Sequence, residues 1–146
     1  MTKIWWYPPF PAMRERPETL PARQTLLLIL LPMLGTFVLL RLYLHLMGVR
    51  HIYPGGHLVH HLYLGVLIVI PAAFLLAFPC ASHTVACLTR VAVGIGSGLA
   101  LDEVTYLVMT QASDKDYVSR VSLFGAGGFI SLAVILLLAL FLAHRD

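Results

Sequence analysis

Charge is scarce in this chain. Asp, Glu, Lys and Arg make up 12% of its 146 residues, against 59% hydrophobic residues, and mean hydropathy is +0.85. So little charge cannot coat a soluble domain of this size, which places the protein in the membrane class. The net charge is +3 with a pI near 9.1, yet no basic run or stripe occurs, which argues against a nucleic-acid partner. Cysteine is limited to Cys80 and Cys87, whose spacing matches neither a zinc knuckle nor a thioredoxin-like pair. HExxH is absent, so the metalloprotease pattern is absent, and the glycines do not have phosphate-loop spacing. There is no internal repeat and no low-complexity tract, and no cleavable signal peptide is expected, since the first apolar run is long and follows a charged, proline-rich leader.

What the chain has in quantity is apolar sequence. Residues 1–23 form a leader in which Trp5, Trp6 and Tyr7 precede Pro8, Pro9 and Pro11, a composition suited to the membrane interface. The remainder, 24–146, reads as one domain with apolar helices at about 25–47, 57–78, 85–109 and 121–143. Each has about the 20 residues that cross a bilayer. Pro32 and Pro71 predict kinks in the first two. The expected fold is an all-α membrane protein, a four-transmembrane-helix bundle with both termini on the same side. Lys3, Arg14, Arg16, Arg23, Arg90 and Arg145 outnumber Arg41, Arg50, Lys115 and Arg120 on the other side. That bias assigns the termini to the cytoplasm of a multi-pass protein of the inner (plasma) membrane. In that orientation the loop holding Cys80 faces a reducing compartment, and both cysteines read as ordinary thiols.

Against this apolar background a few polar residues stand out. His57-Leu58-Val59-His60-His61 opens the second run, with histidines at i, i+3 and i+4 on one helical face. Asp102 and Glu103 lie well inside the third run, where ionisable groups are costly and mark function by default. Four crossings would gather Arg41, His45, His51, His57, His60, His61, Asp102, Glu103, Asp114, Asp116 and Arg120 on one side. Gly94, Gly98, Asp102 and Tyr106 share one stripe of the third helix, which small residues make suitable for close helix packing. Glu103 falls on the stripe of Gly96, about 100 degrees away.

The segments HHLYLG (60–65), GIGSGLALDE (94–103) and DYVSRVSL (116–123) together resemble a group of small bacterial four-helix integral membrane proteins of uncharacterised activity. The likeness covers His60 to Gly65 and Gly94 to Leu123, and implies a shared His-His and Asp-Glu site without supplying an activity. Val104 and Val118 stand where the pattern carries a phenylalanine and a tryptophan.

These residues lead to three expectations. The first is a metal centre, with His57, His60, His61, Asp102, Glu103 and Asp116 as candidate ligands and His45 as an additional one. Imidazole and carboxylate together suit zinc, iron or manganese, and imidazole also suits copper. Such an ion would activate water or oxygen, with Glu103 and Asp102 as the catalytic carboxylates and Tyr106 or Tyr117 as a phenol donor. A lipid or other amphipathic substrate would reach it from the bilayer, with Arg41 and Arg120 holding an anionic headgroup or pairing with the carboxylates. The second is non-catalytic: an ion- or proton-coupled transport component or accessory subunit, in which a homo-oligomer would supply the helices that one chain lacks. The third is haem b held between His45 and His60 or His61, ranked below a non-haem metal because carboxylates suit a haem pocket poorly.

Overall fold

The structure, a computed structural model, describes residues 20–48, 59–78, 82–111 and 113–144. Most of the leader, the 49–58 connection with His51 and His57, and Cys80 lie outside the described residues. Within them the protein is all-α: α1 Ala22–Met47, α2 His61–Ala77, α3 His83–Met109, α4 Asp114–Tyr117 and α5 Arg120–Ala143. The central element is α3, which packs against α1, α2 and α5, while α1 and α5 share a smaller interface.

This corrects the four-transmembrane-helix bundle. Among the described residues there are five helices, of which α1, α3 and α5 are long and apolar enough to cross a membrane. The second apolar run falls short because His60 and Phe78 are not helical. His60 is extended at φ −78° and ψ 142°, so α2 begins at His61 and not at residue 57. Phe78 is extended too, as a residue before proline tends to be. The 17 residues between them make an apolar helix, about 25 Å long against a hydrocarbon core of about 30 Å. The fifth helix, α4, is made by a capping box. Ser113 Oγ accepts from the Asp116 amide while Asp116 Oδ2 accepts from the Ser113 amide, so a single turn forms in the connection between α3 and α5. The expectation of both termini on one side rested on four crossings and falls with them.

Close backbone approach on α3 sorts its neighbours. A Cβ on Gly98 would lie 2.7 Å from the Met33 carbonyl of α1, and one on Gly96 would lie 2.7 Å from the Gly65 carbonyl of α2. Reciprocally, a Cβ on Gly65 would lie 2.5 Å from the Gly96 carbonyl. The Gly94–Gly98 stripe therefore faces α1 and the Gly96 stripe faces α2. Gly125 does the same for α5, where a Cβ would run into the Thr105 side chain. In lipid, such contact replaces the hydrophobic drive that holds soluble helices together. It also sets the direction of the next turn of α3: Asp102 continues toward α1 and Glu103 toward α2.

Candidate functional site

Asp102 and Glu103 are both buried, at 0% and 2% exposure. Each is answered by the helix it faces. Arg41 of α1 donates from Nε to Asp102 Oδ1 at 2.5 Å. Its NH1 donates to the Tyr117 carbonyl at 3.1 Å, and its NH2 to the Asp102 carbonyl at 3.1 Å and to Ser122 Oγ at 3.1 Å. One guanidinium thus ties α1 to α3, α4 and α5, a use of the planar fork that a lysine cannot copy.

Glu103 faces the start of α2. Its Oε2 accepts from the Leu62 amide at 2.7 Å, and its Oε1 lies 2.5 Å from His60 Nδ1. The first amides of a helix have no partner inside it, and a carboxylate there also opposes the positive end of the helix dipole. Glu103 therefore caps α2 from another helix, and this holds His60 in its extended conformation one residue before α2.

His61 joins the two carboxylates. Its Nε2 is 3.3 Å from Asp102 Oδ2 and its Nδ1 is 3.2 Å from Glu103 Oε2. Tyr117 closes the cluster from α4: its hydroxyl donates to Asp102 Oδ2 at 2.8 Å and lies 2.7 Å from His61 Nε2. Its ring stands edge-on to Tyr106, with centroids 4.5 Å apart. Burial, and then the negative charge of Asp102, hold the Tyr117 phenol well above the ordinary tyrosine range, so it stays a donor at neutral pH. His60 Nδ1 is committed to Glu103, and the side chain is 19% exposed, with Tyr63 and Tyr106 at 6.3 Å between ring centroids.

Of the residues singled out from sequence, His60, His61, Asp102, Glu103 and Tyr117 therefore meet, with Arg41 as a charge partner. His57 lies outside the described residues. Asp116 is in the capping box, its Oδ2 2.8 Å from Ser113 Oγ. Arg120 is exposed at the first residue of α5. His45 is exposed in the last turn of α1, where it lines a crevice of about 330 Å³ with Arg41, Leu42, Leu44, Val118 and Leu123. Ser122, fully buried, is the site residue that sequence reasoning missed. Its only signal was a hydroxyl in the first turn of a mostly apolar helix. Among the described residues, no group of three or more His, Cys, Asp or Glu side chains is arranged to hold a metal ion.

No protein family, curated protein or solved structure matches the chain. The resemblance to four-helix membrane proteins is accordingly corrected: no family match supports it, and the helix and span counts differ from it. The site stands on its own geometry, that of a helical membrane-associated protein with a buried His, Asp and Glu cluster.

Proposed function

We propose that this is a multi-pass membrane protein built around a proton-exchanging centre, acting as a proton-coupled transport component. One observation carries the reading: both ring nitrogens of His61 lie against carboxylate oxygens. An imidazole with an acceptor at each nitrogen suits the doubly protonated ring. The charge count agrees. Arg41 balances one of the two buried carboxylates, and an imidazolium at His61 balances the other, where an uncompensated buried charge would be costly.

His60, Glu103, His61, Asp102 and Tyr117 then form one path of close polar contacts, hydrogen-bonded except where His61 Nδ1 faces Glu103 Oε2 as an ion pair at 3.2 Å. His60 Nε2 is its outward end, because Glu103 holds the other nitrogen. Histidines and carboxylates within membrane helices serve as proton relays in pumps and transporters. The same proton would be available for acid–base chemistry on an amphipathic substrate. In liposomes enclosing a pH-sensitive dye, an imposed potential is expected to drive proton movement that falls to the empty-vesicle rate in His61→Phe and Asp102→Asn. Nitrogen-15 spectra are expected to show both His61 ring nitrogens protonated, a signature lost in His61→Phe. A singly protonated His61 would overturn the reading.

A divalent transition metal, zinc, iron or copper, is the second reading. What favours it is the Glu103–His60 contact, since carboxylates commonly fix one imidazole nitrogen while the other binds an ion. Elemental analysis separates the two: a stoichiometric metal that disappears in His60→Ala supports the second reading.

A further inference from the structure

The crevice near the end of α1 lies between that helix and the corner where α4 meets α5. Its walls are aliphatic, from Leu42, Leu44, Val118 and Leu123, and its polar side chains are Arg41 and His45. Among the described residues no acidic side chain lines it. Leu42, Val118 and Leu123 are all exposed, so its mouth belongs to the apolar surface that meets lipid. Arg41 is not used up by the buried cluster. Its Nε donates to Asp102, and its NH2 faces the Asp102 carbonyl, the Ser122 carbonyl and Ser122 Oγ. NH1 carries two hydrogens and, among the described residues, has one acceptor, the Tyr117 carbonyl at 3.1 Å. The guanidinium is held in place by aromatic rings, with its carbon 5.9 Å from the centre of Phe37 and 5.4 Å from that of Tyr117. His45, one turn further on, is exposed and carries an N–H in either protonation state.

A lipid tail alone in this crevice would leave the second NH1 hydrogen against hydrocarbon, which is costly. A carboxylate answers it. One donor from Arg41 and one from His45 match its two oxygens, and charge-assisted bonds of this kind are the strong ones. A phosphate brings more acceptor oxygens than these two donors supply. The volume of about 330 Å³ is at the small end of ligand pockets, roughly 300–1,000 Å³, which favours one hydrocarbon chain over two. We propose that the crevice binds a long-chain fatty acid taken from the bilayer, with its carboxylate between Arg41 and His45 and its chain along Leu42, Val118 and Leu123. The fatty-acid site shares Arg41 with the proton-exchanging centre but needs no particular protonation of His61, so either reading can fail alone. Arg41 then serves two carboxylates, Asp102 within the bundle and the ligand at its surface.

The full chain in phosphatidylcholine nanodiscs is titrated with tritiated palmitate, and bound ligand is read by scintillation proximity. Saturable binding is expected, displaced by unlabelled palmitate and not by hexadecanol, which has the chain without the charge. His45→Ala is expected to weaken binding at least about tenfold, the effect of one charge-assisted hydrogen bond. His45→Lys is expected to restore most of it, which a merely structural loss would not allow. Leu123→Trp, at an exposed position, fills the crevice and is expected to abolish binding while the unfolding midpoint holds. Non-saturable uptake, displacement by hexadecanol as strong as by palmitate, or a His45→Ala affinity equal to the parent's would overturn the proposal. So would equal displacement by phosphatidylglycerol, which would make the crevice a phosphate site for bilayer lipid.

Discussion

The two ends of the bundle join α1 to α5 in different ways. At one end Arg41 reaches across and donates to Ser122 Oγ and to its carbonyl, at 3.1 and 3.3 Å. At the other end the start of α1 and the end of α5 part around a space of about 610 Å³, lined by Leu20, Leu26, Ile29, Leu137 and Phe141. Apolar side chains gain little from one another in lipid, where acyl chains serve as well. Directed hydrogen bonds and backbone-close glycines have no such substitute. The difference shows that α1 and α5 are set relative to one another by polar ties at one end, and that apolar surface at the other end fixes little between them.

Breaking the tied end has the largest expected effect. Arg41→Met leaves Asp102 buried without its cation and should cost about 3–5 kcal/mol, seen as a large drop in the unfolding midpoint in detergent. Arg41→Lys should recover only part, since one ammonium cannot reach Asp102, Tyr117 and Ser122 together. Next comes the α2–α3 contact. Gly96→Ala places a methyl 2.6 Å from Val69 Cγ2 and 2.7 Å from the Gly65 carbonyl. It should cost about 1–3 kcal/mol, with faster amide exchange at the start of α2 as the accompanying sign.

Smaller changes sharpen the comparison. Tyr117→Phe keeps the ring against Tyr106 but removes the donor to Asp102, a loss of about 1–2 kcal/mol. The phenol's value is raised in the folded state, so its contribution is fully present below the ordinary tyrosine value near 10 and is lost as pH rises above it. The parent should therefore lose stability on alkaline titration, and Tyr117→Phe should flatten that slope. The smallest effect belongs to the open end. Ala22→Val, at the wall of the large space, should shift stability by no more than about 0.5 kcal/mol. A loss as large as that of Gly96→Ala would show that the apolar end is more tightly specified than its geometry implies.

Much of α3 was legible from spacing alone. The separation of Asp102 from Glu103 onto different stripes, toward different helices, follows from about 100 degrees per residue and from the glycines that precede each. The start of α2 was not legible. His57, His60 and His61 read as one helical face, yet His60 is extended because Glu103, from another helix, takes the Leu62 amide and the His60 ring together. A local pattern contains no term for a cap supplied 41 residues away. The short α4 could have been read from Ser113 and Asp116, whose i, i+3 spacing is that of a capping box. Ser122 could not, because a single serine gives no direction until Arg41 is placed beside it.

The reach of Arg41 bears on how the chain enters a membrane. Among the described residues, every acceptor of this guanidinium lies later in the sequence, at Asp102, Tyr117 and Ser122. While α1 is alone in lipid its charge has no partner, a penalty of about 2.5–3.5 kcal/mol for an arginine near a helix centre and less near an end. Asp102 carries the matching penalty until α1 is present. The two helices are each discouraged from settling separately and favoured when they settle together, so assembly of α1 with α3 is coupled to their insertion. A chain truncated before α3 should accordingly leave α1 less completely inserted than the full chain does.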